Sequence, residues 1–246
     1  MTNRIPFSPF SPYRTKRPST DKLIFIVCEG EVTEYDYFSK VVPQVYDDIK
    51  TRIQIINVFE EILRKREKYR SEEEKRKLSS SKPHNLLEKM DDFINEKETE
   101  YDFSKHKEDE FWLIMDIDDH TDEYYINEWK RVINKCHEKG YKCAISNPFF
   151  EFWLMLHFDE ITIEDKKYAV TPEHKYEKTN HFKNRLSNLG VALKQGKHIS
   201  NKHAYTKENI QLAIERACKL DNAEDLWPKD LGSTVYKLMN IIDKYE

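Results

Sequence analysis

Two apolar runs in this sequence end in acid. LIFIVC (Leu23 to Cys28) stops at Glu29, and FWLIMDI (Phe111 to Ile117) carries Asp116 near its end, with Asp118 and Asp119 directly after. Carboxylates crowded at one place repel each other unless a cation neutralises them, and hard oxygen ligands suit Mg²⁺ or Mn²⁺. The spacing of two between Asp116 and Asp118 puts both side chains on one side of an extended backbone. There they reach one ion or two adjacent ions, while Asp119 points away. The chemistry open to such a set is metal-assisted, with Glu29 as base or ligand. Acids at strand ends also cap helices or solvate loops, so any one of them says little. Two strands of one sheet both ending in acid favour the metal.

Other residues gather around the same idea. His120, beside Asp119, could act as general acid or base or steady a phosphate, and equally could be a surface histidine. Glu151 is embedded among Phe149, Phe150, Phe152, Trp153 and Leu154. A carboxylate buried there without a partner costs roughly several kcal/mol, although on a helix it could also lie on an exposed stripe. Ser146 and Asn147, at the end of a further strand, could hydrogen-bond phosphate or orient Glu151, or form an ordinary Ser-Asn-Pro turn. Glu31 and Glu34 are weaker candidates, because an acid in a first helical turn is favoured by the dipole alone. His157 reads as a packed histidine at the edge of the core.

The elements that must position these residues follow from periodicity. Leu23 to Cys28 has the continuous apolar character of a strand buried on both faces. A helix begins with Thr33 as N-cap and places Tyr37, Phe38, Val41 and Val42 inward. Arg52 to Phe59 predicts a second strand, and the charged stretch 60–82 a long exposed helix or an insertion. Leu86, Leu87, Met90 and Phe93 form the stripe of a helix over 84–97, which crosses to the third strand, Phe111 to Ile117. A helix over Asp122 to Lys139, with Tyr125, Ile126, Trp129 and Val132 inward and Gly140 as its stop, leads to a fourth strand, Tyr141 to Ser146. Alternating strands and helices predict an α/β fold with a mainly parallel four-stranded sheet flanked by helices. Beyond Pro148 the strand signal ends. A short apolar helix, a polar loop to about 180 and helices over 181–194, 206–220 and 232–245 make a helical C-terminal extension. The organisation is an extended arm (1–21), an α/β domain (22–158) and a mostly helical region (159–246).

Composition narrows the class. Of 246 residues 35% are charged and 38% hydrophobic, enough apolar material for a core, and the net charge is -4. No stretch of about 18 apolar residues is present and the N-terminal segment has no signal-peptide core, which predicts a cytoplasmic protein without a membrane partner. The four cysteines, Cys28, Cys136, Cys143 and Cys218, have neither paired nor zinc-finger spacing and read as reduced thiols. A net acidic chain gives no global attraction to polyanions, so nucleic acid must be met by local basic patches. Arg64, Lys65, Arg66, Lys68 and Arg70 form one run, and Lys194, Lys197, His198, Lys202 and His203 another. Both read first as solvated faces.

Three blocks together resemble the RloB-like family, small proteins linked to restriction and abortive-infection loci of bacteria: CEGEVTEYDYF (Cys28 to Phe38), MDIDDH (Met115 to His120) and SNPFFEFWLMLHF (Ser146 to Phe158). Weaker echoes are KYEKTN (Lys175 to Asn180) and GSTVYKL (Gly232 to Leu238), where Lys175 and Lys178 join Ser146 and Asn147 as substrate-binding candidates. The resemblance implies a divergent Toprim domain, with Glu29, Asp116 and Asp118 as ligands of Mg²⁺ or Mn²⁺. It implies a nuclease acting on RNA, tRNA included, or DNA in antiphage defence, beside a separately encoded ATPase, with homo-oligomer formation open. Ile117 and Phe149 depart from the residue types expected in many relatives, and neither removes a ligand. The competing reading is a non-catalytic nucleic-acid or partner-binding module. A haloacid-dehalogenase-like phosphatase fails on position, since its nucleophilic Asp belongs on the first strand. Topoisomerase and primase fail because no tyrosine is marked as a nucleophile and no zinc motif exists.

Overall fold

β1 (Lys22–Cys28) is buried at every position, as its unbroken apolar sequence requires. It lies between β2 (Ile53–Asn57) and β3 (Glu110–Asp116), parallel to both, and β3 pairs in parallel with β4 (Lys142–Asn147). The fold is the mixed α/β architecture with a mainly parallel sheet. The computed structural model describes residues 22–30, 32–46, 53–57, 83–99, 101–117, 123–167, 175–191, 193–194, 198–199, 201–222 and 224–245, with backbone alone at 53–57, 125 and 175–180. The predicted arm (1–21), the charged stretch 60–82 and the residues Glu31, Asp118, Asp119 and His120 lie outside them.

After β1 the chain turns into α1 (Thr33–Asp36), a π-helical segment at Tyr37–Val41 and α2 (Val42–Val45). Thr33 is not the N-cap: Val32 holds that place, without a side-chain cap bond. The turn is closed instead by Glu34, whose Oε1 accepts from the Gly30 N–H at 3.0 Å. α3 (Pro83–Lys97) and α4 (Glu123–Glu138) are crossover helices, and Gly140 ends the second at φ 76°. α5 (Phe150–Leu156) is the apolar helix predicted after Pro148.

Beyond it the structure departs from the expected plain run of helices. The polar loop holds α6 (Ile163–Lys166), a single turn set by a Thr162–Asp165 capping box rather than by apolar periodicity. α7 (Lys175–Asn188) starts before the predicted 181, and residues 193–194 are strand. Strands persist: β5 (Leu193–Lys194) and β6 (His198–Ile199) form a small antiparallel pair, and β7 (Gly232–Ser233) adds to β4 antiparallel, giving the order β2-β1-β3-β4-β7. Two residues per strand leave no period to read. Between and after these, α8 (Lys207–Leu220) and α9 (Val235–Asp243) complete the chain of elements.

Alternation along the strands divides the core in two. Leu23, Phe25, Val27, Leu113, Met115 and Ile145 face α3 and α4. Ile24, Ile26, Trp112, Ile114 and Ala144 face α2, the π-helical segment, α5 and the C-terminal helices, with Trp153, Phe182, Ile210 and Leu238 in the same cluster. Among the described residues no helix is long and apolar enough to cross a membrane.

Candidate active site at the carboxyl edge of the sheet

In a parallel sheet the carboxyl ends of neighbouring strands open into one crevice, where loops and helix starts converge. β1 and β3 are such neighbours here. Glu29 extends the pairing by one residue, its N–H donating to Ile114 O at 2.9 Å. Its side chain then crosses to β3, where Oε2 accepts from the Asp116 N–H at 2.9 Å. Asp116 in turn reaches the next element: its Oδ2 accepts from the Phe150 N–H of α5 at 3.2 Å. The predicted facing of Glu29 and Asp116 thus rests on a strand adjacency and a hydrogen bond.

Two further acids belong to the same edge. Glu34 is buried, and a Cβ added at Gly30 would stand 2.0 Å from its Oε2, so only glycine allows the chain to pass that close. Burial, and after it the like charge of Glu151, push the Glu34 carboxyl up to about 7. Glu151 lies on α5 directly after Phe150, neither buried in full nor on an exposed stripe: its side chain is 13% exposed and its Oε1 is 3.7 Å from Lys183 Nζ of α7. Cys28 closes the set from below. Burial raises its thiol well above the ordinary value, and Glu34 and Asp116 add to the shift while Lys89 of α3 opposes it.

Ser146 and Asn147 stand at the end of β4, in register with the edge, and their polar atoms engage the C-terminal segment. Ser146 Oγ is 3.0 Å from Ser233 Oγ, and Asn147 Nδ2 donates to Pro228 O at 2.8 Å and Lys229 O at 3.2 Å. Ser146 holds β3 as well, its carbonyl accepting from the Ile117 N–H at 2.9 Å. Lys175 and Lys178 lie in the first turns of α7, where the backbone alone is described. His157 is a packed histidine, as its sequence setting predicts. Its Nδ1–H donates to Trp153 O at 3.0 Å, which leaves Nε2 to accept from the Tyr37 hydroxyl at 2.9 Å. Burial lowers its pKa to about 3, so it stays neutral.

The four acids Glu29, Glu34, Asp116 and Glu151 supply hard oxygen donors, the set that suits a divalent cation such as Mg²⁺. Among the described residues no three His, Cys, Asp or Glu groups converge closely enough to hold an ion on their own. Glu29 and Asp116 therefore fit as two members of a ligand set whose expected third, Asp118, lies outside the described residues. Glu34 is the member that the sequence undervalues. An acid in a first turn is ordinary there, and the signal that marks it is the glycine four residues earlier, needed for the carboxylate to fold back.

The site is thus an acidic edge on a mainly parallel α/β sheet, built by three neighbouring strands and the two short helices α1 and α5. The chain belongs to the RloB-like protein family, whose model matches residues 24–242. No curated protein and no solved structure matches it.

Proposed function

We propose that this chain is a metal-dependent nuclease of Toprim type that hydrolyses phosphodiester bonds of RNA, tRNA included, or DNA, as an effector of bacterial antiphage defence. The observation that carries the reading is the bond from the Asp116 N–H to the Glu29 carboxylate, which joins two strand-end acids on adjacent parallel strands. Glu29 and Asp116 would hold the ion, with Asp118 as the expected third ligand. When bound, Mg²⁺ or Mn²⁺ supplies charge neutralisation at the phosphate and acidifies a water molecule. Glu34, with its carboxyl near 7, is suited to hold or release a proton at neutral pH. Glu151 flanks Asp116, and His120 retains its proposed role in proton transfer. The proposal extends to a defence setting in the cytoplasm with a separately encoded ATPase as partner.

The test is cleavage of labelled RNA and DNA by the wild type, Glu29→Ala and Asp116→Ala, with Mg²⁺, with Mn²⁺ and with chelator. Removing one ligand is expected to lower the rate about a hundredfold or more without unfolding the protein. Wild-type rates in either variant overturn the reading. The competing reading is a non-catalytic nucleic-acid or partner-binding module. Calorimetric titration separates the two, because a module takes up neither Mg²⁺ nor Mn²⁺ at millimolar concentration.

A further inference from the structure

An acidic edge that must receive a polyanion has an electrostatic problem. Four carboxylates face a substrate whose every linkage is negative, in a chain whose net charge is -4. A resident ion relieves part of the repulsion at the reacting phosphate and none at its neighbours. The structure sets a lysine beside this edge, carried by an element that sequence reading assigns to the helical extension.

Lys183 belongs to α7, and its Nζ stands 3.7 Å from Glu151 Oε1, with the lysine side chain 31% exposed. Glu151 is the next residue after Phe150, whose N–H donates to Asp116 Oδ2 at 3.2 Å. The carboxylate that Lys183 meets thus follows directly on the residue that bonds Asp116, and its charge acts on Glu34 of the same edge. Its base is firm. Phe182 packs edge-on against Phe149 and Phe152, with ring centroids 5.7 and 5.5 Å apart. Two residues to either side, His181 Nε2 meets the buried Asp165 carboxylate at 2.6 Å and Arg185 bonds both Asp165 and Asp159. α7 is thus held by contacts other than the Lys183 pair, which at 3.7 Å is longer than a hydrogen bond. Lysine offers a compact charge on a flexible stem, which can leave a carboxylate for a phosphate without moving its helix.

We propose that Lys183 binds a backbone phosphate of the nucleic-acid substrate next to the acidic edge, and that Glu151 is the positioning residue that holds the ammonium there beforehand. The assignment rests on the nucleic-acid reading above and deepens it.

Binding of short RNA and DNA strands to the full chain, measured in chelator across a salt series, tests it. Each phosphate contact contributes a slope of about −0.7 for single strands and −0.9 for duplex in log K against log salt. Lys183→Gln is expected to flatten the slope by about that amount and to weaken binding roughly tenfold, and Lys183→Arg to restore both. In turnover, Lys183→Gln should raise KM by more than it lowers kcat. Glu151→Gln should keep the slope, because the lysine remains, and raise KM by about threefold. A Lys183→Gln protein with the wild-type slope, whether or not its melting temperature falls, overturns the assignment. An unchanged KM in Glu151→Gln overturns the positioning role. If the wild type binds strands with a lysine-dependent slope and cleaves none, the inference stands and the nuclease reading falls. If it binds no nucleic acid, both fall.

Discussion

The two faces of the sheet are built by different means. One face is covered by α3 and α4, helices that lie in sequence between the strands they connect, and its core is mostly Leu, Ile, Val, Met and Phe, with Trp129, Cys136 and Tyr141. The other is covered by α2, the π-helical segment, α5 and elements from 175 onward, and its core is dense in Trp, Tyr and Phe. The second face buries the titratable groups Glu34, Asp36, His157 and Asp165. A face closed by local crossovers is docked chiefly by apolar packing, although α3 also buries Asn85, Lys89 and Lys97. A face closed by distant segments uses hydrogen bonds such as Tyr37–His157 and Asp36 to the Ile199 N–H to fix where each segment docks.

Truncation at the centre of each face makes the contrast measurable. Trp153→Ala and Phe93→Ala both empty fully buried positions, and each is expected to cost about 3–5 kcal/mol in denaturant unfolding. Only Trp153→Ala should also disturb the acidic edge, because α5 carries Phe150 and Glu151, so the Mg²⁺ affinity proposed for that edge should fall in it and hold in Phe93→Ala. Equal loss of Mg²⁺ affinity in both variants would break the comparison.

The buried ionisable pair on the second face gives two smaller effects of opposite sign. Glu34 keeps its proton in the folded chain up to about 7, whereas the unfolded chain loses it near 4.5. Stability therefore falls as pH rises through that window, by roughly 3 kcal/mol at about pH 8. His157 is neutral down to about 3 when folded, whereas the unfolded chain takes up a proton below 6.5. Stability therefore falls as pH drops below 6.5, by about 2 kcal/mol at about pH 5. Between them the two slopes largely cancel. In chelator, Glu34→Gln should unmask the acid loss and gain about 3 kcal/mol near pH 8, and His157→Gln should unmask the alkaline loss. Parallel pH profiles for wild type and both variants would show that neither group titrates as its burial dictates.

What the sequence makes legible follows the same division. Every strand with five or more residues ends an apolar run or forms one, and α3 and α4 show a clean stripe, so the parallel sheet and its apolar face can be read directly. Glu29 and Asp116 are legible for the same reason, since each ends an apolar strand. The second face is harder. β5, β6 and β7 have no period at two residues each, α6 depends on a capping box, and Thr33 loses the N-cap to a turn closed by Glu34. Glu34 and Lys183 become site residues only when α5 brings Glu151 between them, a meeting of residues 34, 151 and 183 that no local pattern encodes.

The pairing of β4 with β7 governs the order in which the molecule can assemble. The Ile145 N–H donates to Thr234 Oγ1 at 2.8 Å, and the Thr234 N–H returns a bond to Ile145 O at 2.8 Å. The strand that bears Ser146, and leads straight into Glu151, is thus secured by residues about ninety positions downstream. Contacts of such sequence separation form late, because a long loop must close first. Until residue 234 has docked, β4 has a bare edge open to strands of other chains. The last hydrogen bonds of the sheet thereby complete the acidic edge, and a change at Thr234, a residue outside that edge, is felt mainly as faster unfolding, since contacts made after the folding barrier leave the folding rate nearly unchanged.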